Sequence, residues 1–300
     1  MVSKQMKFII KGLLHSRDLA NKKRVEDQRR ATELLAVGVK LPEDVTSNSI
    51  DIDGVSSMWF KTPNAHEDKV VLFLHGGSYI AGSIDISKYH AVYISRVSNT
   101  QLLGINYRLA PEHPFPAALD DAVKVYKWLI KERGFSSEKI AIVGVSAGGG
   151  LAIATLLKLR DLGLELPLAA VCISPWVDLA FTGETFKTRA KLDPLTTPDG
   201  LEFAASLYIG DNNPKNPYIS PVYANLNNLP PLYIMAGTDE VLYDDSVRLA
   251  ENAIAVGLDA TLDIWEDMIH GFPVFASVVP ESREAIEKVG KFLRKHFNQL

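Results

Sequence analysis

The sequence predicts an α/β fold, in which helices cover both faces of a mostly parallel central sheet and a helical cap is added. Two observations lead to this prediction. Short, continuously apolar segments are typical of strands buried on both faces, and from about residue 50 they alternate with segments of helical periodicity. Parallel strands need such crossover helices, so the alternation favours a largely parallel sheet.

The predicted elements follow one another regularly along the chain. Residues 50–60 look like an antiparallel lead-in. Apolar strands are predicted at 70–74, 102–106, 140–143, 168–173, 232–235 and 260–265. Helices are predicted at 117–132, 146–162, 244–255 and 281–297. Gly134 stands just past the first of these helices, where glycine commonly ends a helix.

Two regions interrupt the alternation, and we assign both to a cap. Residues 1–45 are helical and charged without a strand, and we predict N-terminal cap helices there. The catalytic domain is predicted at 46–300, with a cap insertion at about 178–228 that is too long for an ordinary connection. One helical stripe in the first region is expected to pack against the body: Met6, Ile9, Ile10, Leu13 and Leu14.

Composition and charge exclude several classes of partner. The 300 residues are 47% hydrophobic, which is ample for a large core, and the net charge of −4 offers no footprint for nucleic acid. No run approaches the roughly 18 apolar residues of a transmembrane helix, so stable membrane insertion is not expected. Lys7 and Lys11 interrupt the apolar start, so a cytoplasmic location is expected. Cys172 is the single cysteine, and no metal site is expected.

The stretch KIAIVGVSAGGGLAIATLLKL places Ser146 between a predicted strand and a predicted helix. Residues 144–148 fit the pattern G-x-S-x-G of a nucleophile elbow, in which small neighbours allow close approach around a strained serine. The N-terminus of the following helix favours developing negative charge. Ser146 is therefore predicted as a nucleophile. The alternatives are a turn that only packs a helix on the sheet, and a phosphate-binding loop, which would need a Lys-Ser/Thr pair.

A hydroxyl nucleophile needs amide donors for the oxyanion of the intermediate. His75, Gly76 and Gly77 come directly after the predicted strand at 70–74. Gly76 and Gly77 are predicted to offer backbone N–H groups to the substrate oxygen, and Ala147 N–H is predicted as a third donor. We interpret His75, which precedes this loop, as a structural support rather than as the base.

The base and its acidic partner are expected in loops after the later strands. Of the seven histidines, we select His270, because it lies in a loop with Gly and Pro after a late strand. Asp239 follows the preceding strand by a short turn and satisfies the chain order Ser, Asp, His. Glu240 adjoins Asp239 but is expected to point differently. The predicted catalytic residues are Ser146, Asp239 and His270.

These motifs together resemble the hormone-sensitive-lipase-like branch of the α/β-hydrolases, which includes bacterial carboxylesterases and acetyl esterases. His75-Gly76-Gly77 resembles the HGG motif of that family, and YRLAPEHPFPAALDD is nearly its consensus segment. SPWVDL, GTDEVLYDD and HGF resemble further family segments. The resemblance spans about residues 40–297.

The resemblance implies an eight-stranded, mostly parallel sheet with a cap made from the N-terminal helices and the segment after Asp178. It implies a serine carboxylesterase that hydrolyses short-to-medium acyl esters, with a small-molecule ester as partner, no cofactor, and a homodimer as assembly. The chain departs from the family at Val145, where Asp or Thr is common, and at Ser78, where Gly or Ala is common. Val145 is expected to affect substrate preference.

Aromatic residues near the motif loops or in the predicted cap would suit a pocket for an apolar acyl or aryl group. Each of them suits the core of the cap equally well. They are Tyr79, Phe181, Phe203, Tyr208 and Phe272.

Other functions are open on the same residues. A deacetylase, a lactonase or an amidase would use the same triad. A non-catalytic small-ligand receptor fits less well, because the plant gibberellin receptors that resemble this family have lost the catalytic histidine, whereas His270 is present. A purely structural protein leaves the convergence of three motif loops unexplained.

Overall fold

Eight strands form one sheet in the computed structural model, which describes residues 2–20, 24–34 and 41–298. In chain order they are β1 Thr46–Ile52, β2 Val55–Lys61, β3 His66–Leu74, β4 Thr100–Ile105, β5 Ile140–Val145, β6 Ala169–Ile173, β7 Leu232–Gly237 and β8 Ala260–Trp265. Their order across the sheet is β1-β2-β4-β3-β5-β6-β7-β8. The pairs β1–β2 and β2–β4 are antiparallel, and all later neighbours are parallel.

Helices lie between the strands and at both ends of the chain. In chain order they are α1 Lys4–Ala20, α2 Val25–Leu34, α3 Ile84–Ser98, α4 Ala117–Lys131, α5 Ala147–Asp161, α6 Thr185–Thr188, α7 Pro198–Ile209, α8 Tyr243–Ala255 and α9 Pro280–His296. Within the described ranges, none of these helices combines the length and the apolar character needed to cross a membrane.

The predicted α/β fold with a mostly parallel eight-stranded sheet is confirmed. Each predicted strand overlaps one of β3 to β8, and the predicted helices overlap α4, α5, α8 and α9. The lead-in at 50–60 belongs to the β1–β2 hairpin, which turns at Asp53 and Gly54 with φ angles of 49° and 87°. Positive φ at both positions matches the right-handed twist of the paired strands.

The core has two layers, one on each face of the sheet, because successive side chains of a strand point to opposite faces. Leu72 and Leu74 of β3 pack in one layer with residues of α4, α5 and α8. Val71 and Phe73 pack in the other layer with residues of α3 and α9. Because β3, β5, β6, β7 and β8 are parallel, they end at one common edge of the sheet, where the loops that follow them meet.

The regions predicted as a cap supply α1 and α2 before β1, and α6 and α7 within 178–228. In α1, Met6 is fully buried and Ile9, Ile10 and Leu13 pack against the core, whereas Leu14 is 45% exposed. The division into cap helices at 1–45 and a catalytic domain at 46–300 stays a prediction. Residues 1, 21–23, 35–40 and 299–300 of these ranges lie outside the described chain.

Candidate active site

Ser146 forms the corner between β5 and α5. Its backbone has φ 56° and ψ −121°, a strained combination for a residue with a side chain. Two hydrogen bonds fix this corner: Ser146 N–H donates to the Ile173 carbonyl at 2.9 Å, and Trp176 N–H donates to the Ser146 carbonyl at 3.0 Å. A serine held in a strained strand-to-helix turn is the geometry that the sequence motif predicts.

The glycines beside Ser146 allow backbone segments to touch. A Cβ atom on Gly144 would lie 2.0 Å from the Gly148 carbonyl oxygen, and one on Gly148 would lie 2.1 Å from the Leu74 carbonyl oxygen. No side chain fits at such distances, so glycine is required at both positions. The corner is thus built by packing the start of α5 directly on the ends of β3 and β5.

A cavity of about 550 Å³ brings the motif loops together. Ser146, His270, Gly76 and Gly77 all line it. The remaining walls come from α2, from the loop after β3, from α3, from the segment before α7 and from the residues after β8. Its volume lies within the range of about 300–1,000 Å³ that is usual for small-molecule sites.

The predicted oxyanion donors lie around this cavity and behind the serine. Gly77 has φ 126°, and a Cβ atom there would lie 2.1 Å from the Ala81 carbonyl oxygen, so the turn requires glycine. Ala147 is the first residue of α5, and its N–H therefore has no acceptor within the helix. Gly76 and Gly77 present backbone to the cavity. The role of these three amides as oxyanion donors stays a prediction.

The two departures from the family pattern both lie on the cavity wall. Ser78 adopts φ 54°, a left-handed conformation that a glycine would adopt without strain. Val145 is 7% exposed and places an apolar side chain directly beside Ser146. The wall next to the serine is therefore apolar.

His75 supports the loop after β3, in agreement with its interpretation from the sequence. Its ring stacks on Tyr107 with 4.2 Å between centroids, and Nδ1 donates to the Gly76 carbonyl at 2.7 Å. The Tyr107 hydroxyl donates to the His75 carbonyl at 2.7 Å. Burial lowers the pKa of His75 to about 4, which keeps the ring neutral at pH 7.

Glu240, and not Asp239, holds the imidazole of His270, so the prediction of Asp239 as the acidic partner is wrong. His270 Nδ1 donates to Glu240 Oε2 at 2.8 Å, and the Glu240 side chain is fully buried. Glu240 Oε1 accepts hydrogen bonds from Gly237 N–H and from the Ser174 hydroxyl. A carboxylate with these partners is fixed against the ring.

Asp239, in the turn after β7, has other partners than His270. Its N–H donates to the Met268 carbonyl at 2.9 Å, and its carboxylate accepts from the Thr238 hydroxyl at 3.4 Å. Partial burial and the neighbouring Asp267 raise the pKa of Asp239. Successive side chains in a turn point in different directions, so only one of two adjacent acids can meet the histidine.

Ser174 is a site residue that the sequence reasoning missed. It follows β6 directly, and its hydroxyl donates to Glu240 Oε1 at 3.0 Å while accepting from Gly271 N–H at 3.0 Å. It thereby connects the loop that carries the acid with the loop that carries the histidine. The available signal was its position: a serine directly after an apolar strand, at the edge where the site residues are expected.

The charges around His270 favour its protonated form. Burial opposes the charge, but the hydrogen bond and charge of Glu240, with the charges of Asp193 and Asp245, raise the pKa of His270 above its ordinary value. Donation from Nδ1 leaves the lone pair on Nε2. Among the described contacts, no hydrogen bond joins the ring to the Ser146 hydroxyl. In unliganded sites such bonds are often long and tighten with substrate.

The prediction for the pocket aromatics is wrong, because none of the five is among the described residues that line the cavity. Tyr79 stacks on Tyr208 with 3.8 Å between centroids, and Phe181 stacks on Phe186. Phe272 is fully buried against Trp265, and Phe203 packs on the core. Large rings gain most where both faces are covered. The apolar lining comes instead from Phe73, Ile86, Val145, Leu195, Val274 and Phe275.

Two further buried titratable residues near the cavity were not predicted. His90 of α3 lines the cavity, and burial lowers its pKa to about 4. Asp193, between α6 and α7, is fully buried. In the described part of the chain, no three His, Cys, Asp or Glu side chains are grouped so that they would hold a metal ion.

Comparison with known proteins shows which family the chain is similar to. A family model for the alpha/beta hydrolase fold matches residues 71–274. An acetyl-hydrolase of Streptomyces hygroscopicus is 39% identical over 245 residues, which are 82% of this chain and 81% of the relative. The crystal structure of an esterase from the bacterial hormone-sensitive lipase family has a TM-score of 0.95 at 40% identity and covers 99% of both chains. The crystal structure of EstE5 soaked by p-nitrophenyl butyrate has a TM-score of 0.92 at 39% identity, again over 99% of both chains.

Proposed function

The chain belongs to the α/β-hydrolase fold family, among its hormone-sensitive-lipase-like esterases, and is a carboxylic ester hydrolase; from this premise we propose that it hydrolyses short-to-medium acyl esters through an acyl-enzyme on Ser146. One observation carries the proposal. The strained Ser146 and His270 line the same cavity, and buried Glu240 holds the His270 ring through Nδ1, so that Nε2 is left to act as base.

In the first half-reaction, His270 Nε2 takes the Ser146 proton as the serine oxygen attacks the ester carbonyl carbon. Glu240 orients the ring through Nδ1 and stabilises the imidazolium without accepting its proton. The tetrahedral intermediate collapses, the bond to the alcohol oxygen breaks, and the alcohol leaves with the proton from His270.

In the second half-reaction, water replaces the alcohol. His270 takes a proton from the water as its oxygen attacks the carbonyl carbon of the acyl-enzyme. The second tetrahedral intermediate expels the serine oxygen, which regains a proton from His270, and the carboxylic acid leaves. The net reaction is ester and water to alcohol and acid.

The proposed oxyanion donors are the amides of Gly76, Gly77 and Ala147. The cavity-lining backbone of the two glycines and the orphan N–H at the start of α5 support this assignment. Because such donors act on charge that develops only in the transition state, loss of one typically lowers turnover about 100-fold to 1,000-fold.

The size and lining of the cavity support short-to-medium acyl groups. About 550 Å³ accommodates the ester and a modest acyl chain, and the apolar side chains on its wall suit an alkyl group. Two relatives have names that agree with short acyl groups: one is called an acetyl-hydrolase, and the other was soaked by p-nitrophenyl butyrate.

The proposal is tested by kinetics of the wild type and Ser146→Ala across p-nitrophenyl esters from acetate to dodecanoate. We expect the rate of the wild type to peak at short acyl length and Ser146→Ala to lose nearly all activity. Ser206→Ala is the matched control, because Ser206 is exposed on α7 and its hydroxyl donates to the carbonyl of Phe203, one turn earlier in the same helix. Equal rates for Ser146→Ala and the wild type would end the proposal.

A serine-directed phosphonate separates an enzyme from a receptor on this scaffold. We expect covalent labelling at Ser146, read by peptide mass spectrometry, and no labelling of Ser146→Ala. Acetylated sugars, lactones and anilides added to the substrate series distinguish a deacetylase, a lactonase and an amidase from an esterase. A homodimer and a cytoplasmic location stay predictions from the sequence.

A further inference from the structure

A second carboxylate, that of Asp193, lies fully buried near the proposed triad and has no part in the mechanism above. Its Oδ1 accepts N–H groups of Leu195 at 3.0 Å and Thr196 at 2.9 Å. Its Oδ2 accepts the N–H of Val241 at 3.1 Å. One side chain thus joins two segments that are far apart in the sequence, since Asp193 and Val241 are separated by 48 positions.

Both segments contribute to the site. Leu195 and Thr196 line the cavity, and Thr197 then caps α7 by accepting from Gly200 N–H at 3.2 Å. Val241 directly follows Glu240, the residue that holds His270. Asp193 therefore connects a wall of the substrate cavity to the loop that carries the acid.

The charge of Asp193 also acts on the proposed base. Among the described residues, the charges of His270 and Glu240 act on Asp193, and the charge of Asp245, from α8, acts with those of Glu240 and Asp193 on His270. Burial and the charge of Glu240 raise the pKa of Asp193 to about 6, while the charge of His270 and the N–H donors favour its anion. At pH 7 and above the side chain is mainly an anion, and its charge favours protonation of His270.

We infer that Asp193 is a positioning residue of this site: it holds the Leu195–Thr196 wall and the Glu240 loop in one arrangement, and its charge stabilises the imidazolium formed during acyl transfer. The inference rests on the proposed function, because it requires His270 to act as the base.

The first test is Asp193→Asn in the full chain. The amide oxygen of the variant can still accept the N–H groups of Leu195 and Thr196. The amide nitrogen is a donor and cannot accept the Val241 N–H, so that hydrogen bond is lost together with the negative charge. We expect kcat for p-nitrophenyl butyrate to fall about tenfold or more, since the coupling between residues of one buried hydrogen-bond network is commonly large enough for such a change. The acid limb of the kcat/KM profile should move to lower pH, because His270 loses a nearby anion.

Asp211→Asn is the matched control, because Asp211 is an exposed aspartate in the same inserted segment. It removes the same charge without these contacts, and its kcat and pH profile should equal those of the wild type. A folded Asp193→Asn with wild-type kcat and an unmoved acid limb would overturn the inference, because a merely structural role predicts that result.

Asp193→Ser guards against failure of the first variant to fold. Its hydroxyl can still accept from backbone N–H groups two or three positions later, but the Val241 bond and the charge are lost. The same direction of change in kcat and pH profile is expected. If neither variant folds by circular dichroism while Asp211→Asn does, Asp193 is a folding residue and the inference is overturned.

Wild type and Ser146→Ala are assayed in the same series, which separates the two ideas. If the wild type lacks esterase activity, or Ser146→Ala retains it, the proposed function fails whatever Asp193 does. If those two behave as expected and Asp193→Asn equals the wild type, only the inference about Asp193 fails.

Discussion

The Ser146 corner after β5 and the Glu240 loop after β7 lie at the same edge of the sheet but are determined differently. Backbone contacts determine the first: the positions of Gly144 and Gly148 leave no room for a Cβ atom. Side chains from distant segments determine the second, since Ser174 and His270 meet the two oxygens of Glu240. A corner limited by local sterics can be recognised in the sequence, whereas the direction of a side chain set by distant partners cannot.

The largest effect on kcat is expected at Glu240, which holds His270 where the sequence predicts Asp239. Glu240→Gln should lower kcat about 1,000-fold to 10,000-fold, as loss of the carboxylate beside a triad histidine does elsewhere, because the amide can favour the wrong ring tautomer. Steady-state kinetics with p-nitrophenyl butyrate measure this effect.

Asp239→Asn is the matched variant for this experiment, at the adjacent position. It should change kcat by no more than about threefold, because the one hydrogen bond of its carboxylate within the described residues comes from the Thr238 hydroxyl. A large loss in Asp239→Asn together with a mild one in Glu240→Gln would reinstate the acid predicted from the sequence.

A steric clash at the Ser146 corner should destabilise the fold. Gly148→Ala puts a methyl group about 2 Å from the Leu74 carbonyl oxygen, so α5 must move away from β3. We expect a loss of about 3 kcal/mol or more in the free energy of unfolding, measured by urea titration.

Gly12→Ala provides the contrast, because a Cβ atom at Gly12 in α1 would meet no atom of the described residues within 4 Å. It should stabilise the protein by up to about 1 kcal/mol through helix propensity alone. Similar unfolding curves for Gly148→Ala and the wild type would show that the corner tolerates a side chain, and local sterics would then not explain the glycines.

The smallest expected effect is a shift of pH dependence, and it reports on the Glu240 loop. Burial opposes protonation of His270, but Glu240 and the nearby acids outweigh it, so its pKa is raised above the ordinary value of 6.5. Because the base must be unprotonated, kcat/KM should rise with an apparent pKa above 6.5. In Glu240→Gln the residual activity should have its acid limb at lower pH.

Stability should depend on pH in the corresponding sense. A pKa raised by folding stabilises the native state fully below the unfolded pKa of about 6.5, and this contribution is lost as the pH rises through the folded pKa. The stability difference between wild type and Glu240→Gln, from urea titrations at several pH values, should therefore shrink as the pH rises. A difference that grows with pH would contradict the raised pKa.

Much of the fold could be predicted from the sequence, since apolar runs bounded by turns overlap all six strands from β3 to β8. The assignment of the aromatics failed for a physical reason. Tyr79 and Tyr208 bury their rings against each other, and proximity to a motif loop does not decide whether a ring faces a cavity or the core. That depends on which surfaces the whole fold brings together.

The sequence by itself determined the α/β fold, Ser146 at a strained corner, and His270 in a loop at the same sheet edge, because periodicity and glycine spacing act over a few residues. Only the tertiary structure decided that Glu240 meets the histidine, that Ser174 joins the two loops, and that Asp193 links the Glu240 loop to the cavity wall. The contacts of His270 with Glu240, of Asp193 with Val241 and of Ser174 with Gly271 join positions 30, 48 and 97 residues apart. The direction of each side chain there depends on partners that local sequence does not contain.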